Sequence, residues 1–423
     1  MTNCDVLIVG GGPAGSTCAW ALRRAGASVV VWDRRTFPRD KVCAGWITPQ
    51  ILAELDLDAE AYRAAGLTIQ PIHGFCVSRL GDAEARVRYA QPISYAIRRC
   101  EFDSYLLRRS QAHLRLGQAI DSLSRLDDAW VLNGTLRAKV LVGAGGHFCP
   151  VAQLLGGRLG AGEPIVAAQE AEFELTGRQC ARCPVEPERP ELFFARDLKG
   201  YGWVVRKDAY INIGLGRQDT HRLAEHVARF VDFLESSGKI PAGLPAKFRG
   251  HPYLLHGETE RPLVSDATLL VGDAAGLAYP RSGEGIRPAV ESGLLAAQTI
   301  IEAGGRYARE RLATYERRIV ARFGRRRKAR GVTDLLPAWL SGAIAGRLLG
   351  SDWFVRHVVL DRWFLHTQQK ALEPPTAGRG LHPGRSSHAS PQVSGGWIRS
   401  LEDEQRIARG TAGTAARANQ LQR

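Results

Sequence analysis

A glycine-rich segment near the N-terminus has the residue types and spacing that bind the phosphates of a dinucleotide. It reads Gly10-Gly11-Gly12-Pro13-Ala14-Gly15, follows the apolar run Asp5 to Val9, and opens a stretch with apolar residues at helical spacing. In this pattern Gly10 permits a tight turn, Gly12 lets a pyrophosphate approach the backbone, and Gly15 permits close helix packing. The N-terminus of the helix, at Pro13 and Ala14, would direct free N–H groups and positive dipole toward the phosphates.

The segment after this helix predicts which sugar the dinucleotide carries. Val29-Val30-Val31-Trp32-Asp33 has the pattern of a buried strand and completes a strand-helix-strand unit. Asp33 ends that strand, where a carboxylate accepts a hydrogen bond from a ribose 2′-hydroxyl, and Arg34 follows it as a further candidate contact. This placement favours an unphosphorylated adenosine ribose, as in FAD or NAD.

A second glycine-rich segment lies far downstream. It consists of Gly272-Asp273-Ala274-Ala275-Gly276, which follows the buried strand Ala267 to Val271, and of Gly283-Glu284-Gly285-Ile286-Arg287. These residues resemble the second FAD motif of the geranylgeranyl reductase family, and the same broad pattern occurs in aromatic hydroxylases. The resemblance implies that Gly272 and Asp273 contact the ribityl or phosphate portion of FAD, and that Gly283, Gly285 and Ile286 bring backbone N–H groups to the isoalloxazine. A helix beginning there would place positive dipole where reduced flavin carries negative charge.

Three shorter segments strengthen the resemblance to the reductases. Lys41-Val42-Cys43-Ala44-Gly45 is similar to their lysine-x-cysteine-glycine element, with Ala44 in place of the usual first glycine. Arg98, followed by Phe102-Asp103, matches an arginine that approaches FAD, and Gly200 to Lys207 resembles the segment whose tyrosine and tryptophan line a lipid pocket. The resemblance makes Cys43 a candidate catalytic residue, Arg98 a cofactor contact, and Tyr201 and Trp203 substrate contacts. The alternatives are a small buried cysteine, a surface arginine and ordinary strand aromatics.

One departure from the family concerns the electron donor. Gly143-Ala144-Gly145-Gly146 lacks the aspartate that the family carries in its glycine-alanine-aspartate-glycine segment, where it helps to hold FAD or receive a nicotinamide. The sequence contains a single dinucleotide-binding fingerprint, so a dedicated NAD(P)H domain is not evident. NAD(P)H binding transiently, ferredoxin as an electron-donor protein, and a quinol all stay open as donors.

These motifs agree with three functions. The first is an FAD-dependent reductase of carbon–carbon double bonds in a hydrophobic, prenyl-type substrate. The second is an FAD-dependent monooxygenase of a small aromatic or polyketide, against which the Cys43 and Trp203 segments and the absent aspartate at Gly145 argue. The third is a flavin-binding electron carrier without an organic substrate, which would cycle between redox states without substrate-dependent reoxidation.

The elements that position these residues predict an α/β fold. We expect a Rossmann-like FAD-binding domain at 1–75, 95–164 and 262–315, interleaved with a substrate-binding domain at 76–94 and 165–261. The latter has the period-two alternation of a mostly antiparallel sheet, for example at Ala209 to Leu215. Asn133-Gly134 predicts a two-residue hairpin turn. C-terminal helices at 316–370 and a largely disordered tail at 371–423, too poor in large apolar residues to offset ordering entropy, complete the chain.

Composition limits the partners and the compartment. The 423 residues carry a formal charge of +14 without zinc-finger spacing or an RNA-reading aromatic motif, so we expect no nucleic-acid partner and no metal site. The basic stretch Arg317 to Arg330, with Trp339, Leu348 and Trp353, fits either peripheral contact with an anionic membrane or a solvated helical face over core aromatics. The scattered cysteines and the absence of a secretory signal before the first strand predict a cytoplasmic protein.

Overall fold

Strands and helices succeed one another in an order that builds two large sheets. The computed structural model describes residues 1–157, 165–218, 221–241, 244, 247–257, 261–326 and 338–375. The strands are β1 (Thr2–Val9), β2 (Val29–Asp33), β3 (Trp46–Ile47), β4 (Ile69–Ile72), β5 (Gly74–Arg79), β6 (Ala85–Arg88), β7 (Ser94–Ile97), β8 (His113–Leu116), β9 (Leu123–Leu126), β10 (Ala129–Leu132), β11 (Leu136–Gly143), β12 (Ile165–Glu174), β13 (Glu191–Phe194), β14 (Gly200–Lys207), β15 (Tyr210–Arg217), β16 (Arg249–Leu254), β17 (Val264–Ser265) and β18 (Thr268–Leu270). The α-helices are α1 (Pro13–Arg24), α2 (Pro49–Glu54), α3 (Ala59–Ala64), α4 (Arg99–Arg109), α5 (Pro150–Leu154), α6 (Gly177–Arg182), α7 (Leu223–Ser236), α8 (Ile286–Ala303), α9 (Arg309–Phe323), α10 (Ala338–Leu349) and α11 (Asp352–Phe354). Short 3₁₀ turns cover Gly146–Phe148 and Gly272–Ala275, and a π-helix covers Val355–Phe364.

Both glycine-rich segments leave the same edge of the first sheet. Its strand order is β17-β18-β11-β1-β2-β8, in which β18, β11, β1, β2 and β8 run parallel, and β10 and β9 extend it as a hairpin. The carboxyl ends of parallel strands lie together, and ligands bind at that edge in open α/β sheets. Gly10 follows β1, Gly143 ends β11, and Gly272 lies just beyond β18. The sheet therefore brings together segments that are distant in the sequence.

The second sheet is the expected mostly antiparallel layer. Its seven strands follow the order β16-β12-β15-β14-β13-β5-β6, and every adjacent pair is antiparallel except β13 with β5. A three-stranded antiparallel sheet, β3-β7-β4, is formed from chain that precedes α4. The combination of a parallel sheet flanked by helices with an antiparallel sheet confirms the predicted α/β fold class.

Close packing of α1 on α8 fixes the N-terminus of each helix. A Cβ added at Gly293 would lie 2.5 Å from the carbonyl oxygen of Ala14, so only glycine permits this approach. Leu22 of α1 and Val290 of α8 are both fully buried in the same core. The first turn of α1 is thus held by close backbone contact against α8 at Gly293, two turns after that helix begins.

The C-terminal helices cover one face of the antiparallel sheet. The π-helix Val355–Phe364 buries Val359 and Phe364 in a cluster that includes Trp46 and Trp203. π-Helical turns are uncommon and occur frequently at functional sites. Among the described residues, no helix has both the length and the apolar character needed to cross a bilayer.

A buried ionic group ties the end of this region to α8. The guanidinium of Arg287, which is fully buried, pairs with Glu291 at 2.7 Å and donates to the carbonyl oxygens of His366 at 3.1 Å and Gln369 at 2.8 Å. The chain after the π-helix is therefore anchored to the element that follows the second glycine-rich segment. The predicted disordered tail lies, from residue 376 onward, outside the described residues, as do residues 327–330 of the basic stretch and the side chain of Trp339.

Candidate active site

The first glycine-rich segment forms an open cradle at the start of α1. A Cβ at Gly15 would overlap the carbonyl oxygen of Gly10, and a Cβ at Gly10 would overlap the carbonyl oxygen of Ala144, so any larger residue at either position would force the backbone to shift. Gly12, the N-cap of α1, differs: the nearest atom to an added Cβ would be Nη2 of Arg39, at 3.5 Å. The space in front of Gly12 is therefore available to a ligand, and Pro13 and Ala14 form the buried first turn behind it.

The second glycine-rich segment meets the first where Gly272 packs against Ala14. Gly272 adopts a positive φ of 58°, donates its N–H to the Ser292 hydroxyl at 2.9 Å, and packs against Ala14 of α1. An oxygen of Asp273 lies 3.3 Å from the position of a Cβ on Gly285, the N-cap of α8, whose first residue is Ile286. A carboxylate and a helix N-terminus thus lie side by side next to the cradle of α1.

The carboxylate of Asp33 is engaged by the backbone around the cradle. Its Oδ2 accepts from the Gly11 N–H at 2.8 Å, and its Oδ1 accepts from the Arg35 N–H at 2.8 Å. Each oxygen keeps a further lone pair for a ribose hydroxyl. Arg34, beside it, is exposed. Asp33 therefore positions the glycine turn as well as standing where the sequence predicts a ribose contact.

A cluster of cations lies in front of the cradle. Arg39 and Arg99 share the fully buried carboxylate of Asp103, at 3.4 Å and 2.9 Å, and Lys41 lies with them. Burial lowers the pKa of Lys41 to about 8; Asp273 opposes this shift, and the positive charges of Arg99 and Arg39 add to it. A buried ammonium whose pKa is depressed lacks sufficient negative charge around it. A pyrophosphate at Gly12 would supply that charge, so the residues fit a dinucleotide.

An imidazole beside the cation cluster has an atom that the protein does not satisfy. Nε2 of His251 is buried and finds no hydrogen-bond partner in the part of the chain that the structure describes. Burial lowers the pKa of His251 well below its usual value, and the nearby charge of Lys41 lowers it further, so the ring is neutral. Buried polar atoms normally have a partner. A nitrogen without a partner beside the cluster fits a polar ligand bound there.

Cys43 lies between the cofactor cradle and the antiparallel sheet. Its half-buried sulfur accepts from the Gly45 N–H at 3.4 Å and lies within hydrogen-bonding reach of Arg99. The carbonyl oxygen of Cys43 accepts from the Asn212 amide at 3.2 Å, and Asn212 in turn accepts from the Trp203 indole at 2.7 Å. The cysteine segment is thereby joined to the residue predicted to line a substrate pocket.

An aromatic wall stands beside the second glycine-rich segment. Tyr201 and Trp203 lie on one face of β14 because residues two apart in a strand point the same way, and their ring centroids are 5.9 Å apart. The Tyr201 hydroxyl donates to the carbonyl oxygen of Ser282, and Phe364 of the π-helix lies 5.2 Å from the Tyr201 ring. A Cβ on Gly214 would overlap the Trp203 ring, so glycine in β15 makes room for the indole. We refer to Tyr201, Trp203 and Phe364 as the aromatic wall.

Comparison with known proteins agrees with this architecture. Residues 5–89 match the family model for the FAD dependent oxidoreductases. Digeranylgeranylglycerophospholipid reductase of Methanocaldococcus jannaschii is 26% identical over 329 residues, which cover 74% of this chain and 81% of that protein. Menaquinone reductase of Mycolicibacterium smegmatis is 29% identical over 331 residues, which cover 72% and 78%. The crystal structure of a geranylgeranyl bacteriochlorophyll reductase-like protein from Thermoplasma acidophilum has a TM-score of 0.66 at 21% identity, covering 89% of this chain and 94% of that one.

The chain is an FAD-dependent oxidoreductase that resembles the geranylgeranyl reductases.

In this flavoenzyme the arginine next to the cofactor cradle is Arg99, not the predicted Arg98. Arg98 pairs with Glu101 at 2.7 Å and Glu172 at 3.3 Å and lies 3.7 Å from the centre of the Tyr210 ring. The physical reason is local: Arg98 is the extended N-cap of α4, and Arg99 is its first helical residue. The change of backbone conformation turns the two side chains in different directions, toward the antiparallel sheet and toward Cys43 respectively.

Several residues of the flavoenzyme site were absent from the sequence-based set. Arg39 and Arg99 belong to the cation cluster, the neutral His251 lies beside it, and Tyr253 of β16 brings its hydroxyl against Gly283. Arg39 and Lys41 both lie shortly before Cys43 in the sequence, and two basic residues so close to it could have indicated an anion-binding site. No pattern in the sequence pointed to His251 or Tyr253, because the pairing register of β16 decides which of its side chains face the cradle. Among the described residues, no group of three or more His, Cys, Asp or Glu side chains could hold a metal ion.

Proposed function

We propose that this flavoenzyme reduces carbon–carbon double bonds in a hydrophobic, prenyl-type substrate. The observation that carries the proposal is the aromatic wall, which sets apolar ring surfaces directly beside the second glycine-rich segment. A pocket lined by aromatic rings with few polar groups suits an apolar chain. The two relatives described above are named as reductases of a geranylgeranyl lipid and of menaquinone, which supports the same substrate class.

The residues of the site divide the work of binding and orientation. Bound FAD, in its reduced form, supplies the hydride. Gly12, with the cation cluster, would hold the pyrophosphate, and Asp273 with Gly283 and Gly285 would hold the ribityl and ring portions. Tyr201 is fixed by Ser282, and Trp203 by Asn212, so the rings that contact the substrate are set before it binds. Rigid orientation of the double bond against the cofactor lowers the entropic part of the barrier.

The electron donor is proposed to be external to the chain, as NAD(P)H, ferredoxin or a quinol. Gly145 stands where the related families carry an aspartate, so the site lacks a carboxylate that helps to receive a nicotinamide. Anaerobic mixing of the oxidised holoprotein with each donor in turn, followed by the loss of flavin absorbance, identifies the donor by its rate.

Reoxidation of the reduced flavoenzyme tests the proposed reaction. The holoprotein is reduced without oxygen, geranylgeranyl diphosphate is added, and flavin absorbance and product mass are followed. We expect the flavin to reoxidise without oxygen and the product to gain a pair of hydrogens for each double bond. Reoxidation that waits for oxygen and hydroxylates a small aromatic would replace the proposal with a monooxygenase. Reoxidation by an acceptor protein alone would replace it with an electron carrier.

We also propose that the flavoenzyme takes its substrate from an anionic membrane surface. Ile344, Leu348 and Trp353 are exposed by 41%, 39% and 67%, and they belong to the C-terminal helices α10 and α11. The exposed Arg347 lies on the same face as Ile344 and Leu348, since residues three and four apart share a helix face. Apolar side chains flanked by a cation are suited to the boundary between headgroups and acyl chains. We refer to Ile344, Arg347, Leu348 and Trp353 as the apolar ridge.

A further inference from the structure

A phenol hydroxyl lies where the aromatic wall meets the second glycine-rich segment. Tyr253 belongs to β16, and its hydroxyl occupies the place that a Cβ on Gly283 would take. Gly283 has a positive φ of 68°, which independently favours glycine there. The same hydroxyl lies 3.5 Å from the position of a Cβ on Gly216, which is itself 3.8 Å from the Trp203 ring. Glycines in two different segments therefore leave space around this one hydroxyl.

The Tyr253 hydroxyl is available to a bound molecule. It makes no hydrogen bond to any group in the ranges that the structure describes, and the residue is half-buried, so its polar atom borders open space. Tyr201, on the other side of the wall, differs because its hydroxyl already donates to Ser282. The sulfur of Cys43 also differs, because it accepts a hydrogen bond from the Gly45 N–H and lies within hydrogen-bonding reach of Arg99.

The environment of Tyr253 favours the protonated form of its phenol. Burial raises the pKa of the phenol well above its usual value, and the neighbouring Cys43 and Asp273 raise it further. The residue therefore enters each turnover as a neutral donor across the physiological pH range. A general acid must hold its proton and lie within hydrogen-bond reach of the acceptor. Any phenol holds its proton at physiological pH, so the observation that favours Tyr253 is the position of its hydroxyl beside Gly283.

We propose that Tyr253 is the catalytic acid that protonates the substrate double bond. This inference rests on the proposed alkene reduction. The π bond breaks, one of its carbons takes a hydride from the reduced cofactor, and the other forms a C–H bond with the proton of the Tyr253 hydroxyl. The phenolate then regains a proton from water. The hydride brings the electron pair of the first new C–H bond and the broken π bond supplies the pair of the second, so no further oxidant or reductant is needed.

The variant Tyr253→Phe tests the acid without removing the ring. We expect the single-turnover rate with geranylgeranyl diphosphate to fall by about a hundredfold or more, the usual contribution of general acid catalysis. FAD content, the flavin spectrum, the rate of flavin reoxidation by ferricyanide and the dissociation constant of the substrate should stay as in the wild type, since none of these needs the proton.

Reaction in D2O separates a proton donor from a packing residue. The wild type should place deuterium at the protonated carbon in one configuration, and Tyr253→Phe should place it in both, because water would then supply it from either side. Equal rates and equal stereochemistry for the two proteins would overturn the role of Tyr253 while leaving the reductase intact. A wild type that reduces no prenyl chain would overturn the proposed function itself, and this role with it.

Discussion

At the scale of single residues, Lys41 links cofactor binding to pH. Its pKa is lowered to about 8, so the free site loses this positive charge as pH rises through that value. A pyrophosphate favours the charged form, and FAD affinity should therefore be constant below pH 8 and fall by about tenfold per pH unit above it. Fluorescence titration of the apoprotein with FAD on either side of pH 8 measures this.

The variant Lys41→Arg is the matched control for this titration. A guanidinium stays charged throughout, so the pH profile of FAD affinity should become flat. Parallel profiles for the wild type and the variant would show that another group governs the titration and that Lys41 does not face the phosphates. The neutral variant Lys41→Met should bind FAD weakly at every pH.

At the scale of residues, the sequence predicted which residue types belong to the site better than it predicted the contacts that each side chain makes. The roles of Gly10 and Gly15 as close-contact positions follow from their spacing after a buried strand, and the structure places them so. The sequence prediction named Arg98 as a cofactor contact, whereas the structure places Arg99 beside Cys43 and Asp103, because adjacent residues at a helix N-cap differ in backbone conformation. No local pattern in the sequence distinguishes which of two neighbouring arginines turns inward.

At the scale of elements, the turn between β1 and α1 separates a folding role from a binding role. A Cβ on Gly15 overlaps Gly10, whereas a Cβ on Gly12 meets nothing closer than 3.5 Å. We therefore expect Gly12→Ala to leave the apoprotein stable and to weaken FAD binding, because the methyl group occupies the approach of the pyrophosphate. Gly15→Ala should destabilise the apoprotein by about 1–3 kcal/mol, the usual cost of overpacking.

Thermal melting of the FAD-free proteins and FAD content after reconstitution measure the two effects separately. If Gly12→Ala kept full flavin, the cradle would not be the phosphate site. If Gly15→Ala melted with the wild type, the packing of α1 on the turn would be looser than the contact with Gly10 implies.

Elements were predictable where periodicity was strong. The hairpin at Asn133-Gly134 forms between β10 and β11, and both residues have positive φ, at 48° and 61°. Leu132 pairs with Leu136, so the loop contains one residue more than the predicted turn. No pattern in the sequence predicted the π-helix, because packing on the antiparallel sheet, rather than the spacing of apolar residues, determines which of its side chains point inward.

At the scale of the whole molecule, the interleaving of the two sheets brings each part of the site from a different region. The cofactor cradle comes from β1, β11 and β18, and the aromatic wall comes from β14 and the π-helix. The local patterns along the sequence, helical spacing in some segments and period-two alternation in others, predicted the two layers of the fold. Their relative placement could not be derived, because contacts such as Tyr253 with Gly283 depend on how one sheet docks against the helices of the other.

The apolar ridge makes a prediction about the molecule as a whole. The double variant Leu348→Ser, Trp353→Ala removes exposed apolar surface without changing the aromatic wall, and should weaken binding to vesicles of phosphatidylcholine with about 30% phosphatidylglycerol by about tenfold. Arg347→Gln should reduce the dependence on anionic lipid, since a cation near such a surface contributes about 1 kcal/mol. Cosedimentation at low and high salt measures both.

Leu126→Ser provides the matched control because Leu126 is 54% exposed and lies on the β9 hairpin, away from the C-terminal helices. This variant should bind vesicles as the wild type does. Equal binding by the ridge variant and the control would overturn the docking proposal. Weakened binding with unchanged turnover of detergent-dispersed substrate would instead separate delivery from chemistry, since the ridge residues would then serve to reach the lipid and the aromatic wall to receive it.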